Sequence, residues 1–315
     1  MPRQRIPDDV LTAAHDRAAA RARRDWPEAD RLRAEIEAAG WKIVDRGTDF
    51  ALEPATPPTV EADGVVRYGS SEAVPSRLDE PETGIATVVL VATDWPDDLR
   101  RALDALTATS PDGTSVVIVA DGSGSEPDAA ATNGPARPPV EIVRTSERLG
   151  TGSAWNIGIR RATAPVVLIL DTSVEPTGDI VTPLVDALRD PSIGVVGGFG
   201  IASADLRRFH EAGPGDATAI EGYAMAFRRA DAAARGPVDE RFRFYRNLDI
   251  WWSLVLRDEG EGTAPRRAVA LPLPAVRHEH RGWTSVPDAE RDRLSKRNFY
   301  RILDRFGTRR DLATD

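Results

Sequence analysis

From Ile85 onward, short apolar runs alternate with amphipathic stretches. Ala86–Ala92, Ser115–Val119, Val140–Arg144, Val166–Leu170 and Ile193–Val196 are compact, β-branched and bounded by Gly, Pro or Asp. Continuous rather than alternating apolar runs of this length predict strands buried on both faces. Between them, 97–106, 152–162 and 180–188 carry apolar residues at helical spacing. Repeated strand–helix units predict an α/β fold with a mostly parallel sheet flanked by helices. The closing stretch Asp288–Phe306 sets Leu294, Phe299, Ile302 and Phe306 along one helical face. It predicts an amphipathic helix packed on the main domain or on a partner subunit, as in a homo-oligomer.

The first 55 residues are patterned differently. Asp8–Arg24 reads as an Ala/Arg-rich helix with Val10, Leu11 and Ala14 on one side. Asp25-Trp26-Pro27-Glu28 announces a second helix, with an Asp cap and Pro in the first turn. Trp26, Ala29, Leu32, Ile36 and Ala39 recur at its period, and Gly40 stops it. WKIVD and DFALE around Arg46-Gly47-Thr48 predict a β-hairpin. A unit this small is expected to need the main domain to cover its apolar faces. Pro and Gly punctuate residues 56–84, which read as a linker with one short strand near Val65–Tyr68. The expected division is therefore a 1–55 helical and β-hairpin module, a 56–84 linker, an 85–283 catalytic-type domain and a 284–315 helical tail.

Composition narrows the function. A formal charge of −9 over 315 residues argues against a general nucleic-acid or anionic-membrane binder. With no cysteine, disulfides, thiolate metal sites and a cysteine nucleophile are excluded. The start MPRQRIPDDV lacks the apolar core of a secretory signal, and the longest apolar run, Val166–Leu170 with its neighbours, is too short to span a membrane. A cytoplasmic enzyme is the expectation, with peripheral membrane association left open.

Candidate chemistry gathers where the strands end, the place at which open α/β sheets bind ligands. The first strand ends in Thr93-Asp94, the second in Asp121-Gly122-Ser123, and the strand 166–170 runs into Asp171. Carboxylates there suit a ribose or base, since they accept from hydroxyl and N–H groups. Asp-Gly-Ser is equally a common turn. Gly150-Thr151-Gly152 opens a helix whose N–H groups could face a phosphate, without matching the dinucleotide fingerprint.

In the order VVLVATDWPDDLRRALDAL, VVIVADGSG, RLGTGSAWNIGIRRA, VVLILDTSVEP, EGYAMAFRR and PVDERFRFYRNLDIWWSLVLRDEG, residues 85–307 resemble the family 2 glycosyltransferases. The resemblance implies a GT-A fold and a nucleotide-diphosphate sugar donor. It places Thr93, Asp94 and Asp121 near the nucleoside and Asn156 near the donor edge. It also implies transfer to a glycan or other hydroxyl acceptor with inversion, a cell-wall or polysaccharide product being what the family suggests.

The family's Asp-x-Asp-like motif, whose last carboxylate holds Mg²⁺ or Mn²⁺, aligns with Asp171-Thr172-Ser173. Ser173 stands where a carboxylate is expected, and a neutral hydroxyl is a poor ligand for a hard divalent ion. Three readings follow. Asp171 holds the metal with help from Glu175 or a histidine, His280 being the first choice; an arginine such as Arg148 or Arg281 counters the phosphates without metal; or the chain is a catalytically impaired GT-A-fold binding or scaffold protein. Asp249 aligns with the family's general base, Leu248 replacing the usual Glu, while Asp239 and Glu240 match in the loop before it. Asp249 could equally cap its helix. Trp251 and Trp252 offer aromatic faces to an acceptor sugar, although neighbouring helix positions diverge and at least one belongs in the core. His278 and His280 share a side if the segment is extended. Between Asp121 and Val140, where the family has a helix, Pro and Gly predict a loop.

DWPEADRLRAEIEAAGWKIVDRGTDFAL is similar to the C-terminal tail of cysteinyl-tRNA synthetases. That family's catalytic body is absent, so the resemblance implies a borrowed module. Its near-balanced charge favours a docking or packing role over contact with tRNA.

Overall fold

The computed structural model describes residues 6–46, 49–122 and 138–314, and the chain divides into two compact units, Met1–Thr59 and Val60–Asp315. In the first, α1 (Asp8–Ala22) and α2 (Trp26–Ala38) precede an antiparallel hairpin of β1 (Trp41–Arg46) and β2 (Asp49–Pro54). Asp25 caps α2 as its sequence requires, accepting from the Glu28 N–H at 3.4 Å. The hairpin's Gly47 and Thr48 lie outside the described residues. Val10, Ala14, Leu32, Ile36, Trp41 and Ile43 form the unit's own core. Its apolar faces are therefore covered from within, because hairpin and helices supply complementary stripes. Leu11 and Trp26 stay exposed despite their helical spacing. The buried Arg17 guanidinium is held 2.9 Å from Asp45, which spares the core an unpaired charge.

The second unit runs in chain order through β3 (Val60–Ala62), β4 (Val65–Tyr68), β5 (Ala86–Ala92), α3 (Pro96–Thr109), β6 (Thr114–Ala120) and β7 (Val140–Thr145). Next come α4 (Thr151–Arg161), β8 (Val166–Leu170), β9 (Val174–Pro176), α5 (Val181–Ala187), β10 (Ile193–Gly197) and β11 (Gly200–Ala202). Short strands β12 (His210–Ala212), β13 (Gly215–Ala217) and β14 (Ala219–Ile220) lead to β15 (Ala224–Arg228) and α6 (Arg229–Arg235). The chain ends through α7 (Leu248–Arg257), β16 (Arg267–Ala270), β17 (Ala275–Arg277), α8 (Arg281–Thr284) and α9 (Asp288–Phe306).

The main sheet has the order β13-β16-β10-β15-β8-β5-β6-β7-β4-β3. Pairing is parallel from β8 through β5, β6 and β7 to β4. β15 is inserted antiparallel between β8 and β10, with Ala224 opposite Leu170. Strand residues alternate between two apolar layers. Along β5, Val88 and Leu90 pack with Leu99 and Leu106 of α3, while Val89 packs with Trp155 and Ile157 of α4. On the α4 face, a Cβ at Gly158 would stand 2.2 Å from Val89 Cγ1, so this helix approaches the sheet too closely for any other residue. Leu294, Ile302 and Phe306 of α9 are buried, as their spacing predicts.

The 56–84 stretch, expected to be a linker, is built into the larger unit from Val60 onward. β4 pairs in parallel with β7, Tyr68 opposite Thr145. Arg77 N–H donates to Arg160 O, and the buried Arg229 guanidinium ties the carbonyls of Arg77, Glu80 and Ala162 together. Pro and Gly rule out a long helix or central strand here, but not an edge hairpin and close turns. The loop expected between Asp121 and Val140 falls largely on 123–137, outside the described residues. Among the described residues, no helix is long and apolar enough to cross a membrane.

Candidate active site

A cavity of about 300 Å³ opens at the carboxyl ends of β5, β6 and β8. Thr93, Asp94, Asp121, Arg148, Asp171, Asp249 and His280 all line it, together with Glu221, Tyr223 and Tyr245. Strand order divides it. β5 and β6 deliver Asp94 and Asp121 to one end, while β8 and the turn entering β15 deliver Asp171 and Glu221 to the other.

At the first end Asp121 organises backbone. Its Oδ1 accepts from Leu149 N–H at 2.7 Å and its Oδ2 from Gly150 N–H at 2.8 Å, with Thr145 Oγ1 donating at 3.1 Å. These bonds draw the Arg148-Leu149-Gly150 turn onto the end of β6 and fix where α4 begins. Gly150 sits at φ +105°, and a Cβ there would meet Arg243 Cα at 2.7 Å. Burial pushes the Asp121 carboxyl above its usual range, against those three bonds and the Arg148 charge. Arg148 Nη2 is 2.7 Å from Asp94 Oδ1, so this arginine is already paired with a carboxylate.

At the centre Asp171 follows β8. Its Oδ1 accepts from both the backbone N–H and the hydroxyl of Ser173, at 2.8 and 2.5 Å. Its Oδ2 faces His280 Nε2 at 3.2 Å. Burial alone would raise the Asp171 pKa, but the His280 and Ser173 bonds overcome it and hold the carboxyl below its usual value. Burial likewise works against a charged His280, and the Asp171 carboxylate outweighs it, raising the imidazole pKa. His280 also caps α8, its Nδ1 accepting from Trp283 N–H at 3.0 Å. The proton of the neutral ring therefore sits on Nε2, directed at Asp171. Tyr245 stacks on the ring at 4.4 Å.

The two histidines do not face one ligand. β17 ends at Arg277, and the chain then turns into α8, so the alternation of an extended segment is lost. His278 instead pairs with Glu175 at 2.7 Å, and neither lines the cavity. Arg281 sits 3.7 Å from Asp98, also outside the cavity lining.

Asp249 comes from the first turn of α7. Its Oδ2 accepts from Gly222 N–H at 3.0 Å and its Oδ1 from Ile250 N–H at 2.9 Å. The cap position itself belongs to Asn247, which is left-handed at φ +69°. Asp249 is thus turned toward the β14–β15 turn and the cavity. Burial pushes its carboxyl pKa up, with the backbone bonds and Arg246 opposing.

Four further residues expected at the site are not brought to its lining. The Asn156 amide is spent on Val238 N–H and O and on Glu240, so it ties α4 to the following loop. Trp251 and Trp252 are 5% and 0% exposed. They pack on Phe242 and Phe227, because an apolar helix crossing the sheet buries nearly its whole circumference. Ser173 is buried behind Asp171 and reaches the cavity only through it. Glu240 accepts from Ser71, Ser153 and Asn156, which makes it a bracing carboxylate.

Glu221 is the cavity carboxylate that sequence reasoning missed. It opens EGYAMAFRR, and its position one residue before a cavity-side Gly222 was the available signal. Burial, reinforced by the Asp249 charge, raises its pKa to about 7.

Comparison with known proteins identifies the family and the fold. The family model "Glycosyl transferase family 2" matches residues 87–245. Among solved structures, GalNAc-T7 with UDP, GalNAc and Mn²⁺ superposes with a TM-score of 0.58 at 17% identity, over 70% of this chain and 48% of that one. The mannosyltransferase PcManGT from Pyrobaculum calidifontis, in complex with GDP-Man and Mn²⁺, gives 0.46 at 19% identity, over 64% and 57%. A cysteine–tRNA ligase of Opitutus terrae is 44% identical over 54 residues, which is 17% of this chain and 12% of the ligase. The chain thus spans about half of GalNAc-T7 and a small part of the ligase. The GT-A architecture expected from the ordered motifs is the one observed, and the family match takes in the strands that carry Asp94, Asp121 and Asp171. This chain belongs to glycosyl transferase family 2.

Proposed function

We propose that the protein transfers a sugar from a nucleotide-diphosphate donor to an acceptor hydroxyl with inversion, and that Asp249 is the general base. One observation carries the reading: Asp249, Asp171 and the Asp94–Asp121 end of the sheet all open onto the same cavity. The nucleoside is assigned to the β5–β6 end, where Asp94 and Asp121 can accept from ribose and base. The diphosphate then lies toward Asp171 and His280. In a single displacement, the acceptor oxygen attacks the anomeric carbon as the bond to the diphosphate breaks on the opposite face. Asp249 takes the acceptor's proton, and the anomeric centre inverts. The Gly222 and Ile250 N–H groups fix the carboxylate's aim.

A divalent ion would take Asp171 Oδ2 and His280 Nε2 as its protein donors, displacing the Nε2 proton and the Trp283 N–H bond that makes Nδ1 the acceptor. Asp171 Oδ2 and His280 Nε2 converge at 3.2 Å, while Ser173 is spent on the other Asp171 oxygen. Among the described residues there is no cluster of three or more His, Asp or Glu ligands. The donor's phosphate oxygens would complete the shell, a common arrangement for Mg²⁺. Bound there, Mg²⁺ or Mn²⁺ would neutralise charge on the departing diphosphate. The Ser173 contact also favours a second reading, a GT-A-fold binding protein that has lost transfer. Incubation with UDP-, GDP- and dTDP-sugars, with and without Mn²⁺, separates the two. Release of nucleoside diphosphate is expected for one donor; binding without turnover supports the second reading.

A further inference from the structure

The transfer reading makes no use of Glu221, yet this side chain is 12% exposed and lines the same cavity as Asp249. Neither of its carboxyl oxygens has a hydrogen bond among the described residues. Its cations stand off: Arg246 Nη1 is 3.8 Å from Oε1, and Arg277 Nη1 is 3.8 Å from Oε2. Charge-assisted hydrogen bonds are about 1 Å shorter. Each guanidinium lies over aromatic rings instead, Arg246 over Trp283 and Arg277 over Tyr223 and Phe199. Buried polar groups are nearly always hydrogen-bonded, so a carboxyl group held open toward a cavity is built to meet a ligand's donors.

The surroundings define that ligand. Asp249 faces Glu221 from α7 and Glu211 from β12, which disfavours a phosphate or carboxylate. Arg246 and Arg277 face it from the other elements, which disfavours an amine. A neutral polyol suits both. Gly222 N–H bonds Asp249 Oδ2 at 3.0 Å, so the residue next to Glu221 is tied directly to the general base. We propose that Glu221 determines acceptor specificity: its carboxyl group hydrogen-bonds a hydroxyl of a neutral sugar acceptor, beside the hydroxyl that faces Asp249. The assignment rests on the transferase reading and names the acceptor's chemical class. Burial and the Asp249 charge raise the Glu221 pKa to about 7, and its carboxyl group can accept from that hydroxyl when ionised or donate to it when protonated.

Saturation-transfer NMR on the full chain tests it, with methyl gluco-, galacto- and mannopyranosides as probes and UDP and GDP affinities measured in parallel. At least one glycoside is expected to receive saturation from the wild type. Its affinity should fall roughly tenfold or more in Glu221→Ala, the value of a hydrogen bond to a charged group. Glu221→Gln, which keeps a polar amide, should restore part of it. Nucleotide affinity, set at the β5–β6 end, should hold in both variants. No glycoside signal with wild type, an undiminished signal in Glu221→Ala, or a parallel loss of nucleotide and glycoside binding would each overturn the proposal. Glu221-dependent glycoside binding without any nucleotide binding would leave it standing and sink the transferase reading instead.

Discussion

His280 Nε2 lies 3.2 Å from Asp171 Oδ2, while the Ser173 hydroxyl holds the other oxygen of the same carboxylate at 2.5 Å. A histidine from the far end of the domain thus answers the aspartate that ends β8. Ser173, where the resemblance implies a carboxylate, bonds Asp171 through both its N–H and its hydroxyl.

The His280–Asp171 contact predicts two limbs of pH dependence. The Asp171 pKa is depressed in the fold, so its stabilisation is present above the ordinary value of 3.8 and lost as pH falls through the folded value. The His280 pKa is raised, so its contribution is full below 6.5 and lost as pH rises through the folded value. His280→Gln should abolish the second limb. Urea unfolding of both proteins from acid to alkaline pH measures it; an identical alkaline limb in the variant would contradict the pairing.

Ser173→Asp sets a second carboxylate against Asp171. Without divalent cation the variant should be destabilised by roughly 1–3 kcal/mol, through like-charge repulsion and the lost hydroxyl bond. With Mn²⁺ its melting temperature should rise more than that of wild type. Calorimetry with and without the ion decides, and an equal Mn²⁺ response in both proteins would count against a metal site at Asp171.

Glu221 carries a stability signature independent of any ligand. Its folded pKa is about 7 against 4.5 unfolded, so between these values the fold holds a proton that the unfolded chain has released. Stability therefore falls as pH rises through this window. Glu221→Gln should remove the slope and gain up to about 3 kcal/mol above neutrality. Denaturation midpoints on either side of the window check this.

Gly150→Ala tests the turn that Asp121 holds. The position needs φ +105°, and the added methyl group would press on Arg243. A loss of about 1–3 kcal/mol is expected, with a weaker UDP or GDP affinity as the turn lifts from Asp121. Titration calorimetry measures the second effect; unchanged affinity would detach this turn from the nucleotide.

The sheet was legible because its strands are buried on both faces. Val166–Leu170 and Ala86–Ala92 are uninterrupted apolar runs, and their polar terminators mark the cavity. Asp171 could be located for the same reason, since it ends a buried strand, whereas Asp249 was placed by the resemblance of its motif to the family's. What failed needed the third dimension. Helical spacing shows that Trp251 and Trp252 lie on an apolar helix, but not that the sheet and α9 enclose it. His278 and His280 differ only in where β17 stops, a boundary of one or two residues. Asn156 looks like a ligand-side amide until Val238 and Glu240 come to it from 82 and 84 residues away. Glu221 was hidden because its partners, Arg246, Asp249 and Arg277, are all distant in sequence.

The most direct test of the account is turnover by Asp249→Asn with a donor that wild type consumes. The substitution keeps shape and relieves a buried carboxylate, while its single amide oxygen can accept from only one of the Gly222 and Ile250 N–H groups, so the fold should be retained and donor affinity unchanged. Transfer should fall by roughly 10²- to 10⁴-fold, the contribution of a positioned general base. Turnover within about tenfold of wild type, at unchanged donor affinity, would contradict the assignment of Asp249 as the base.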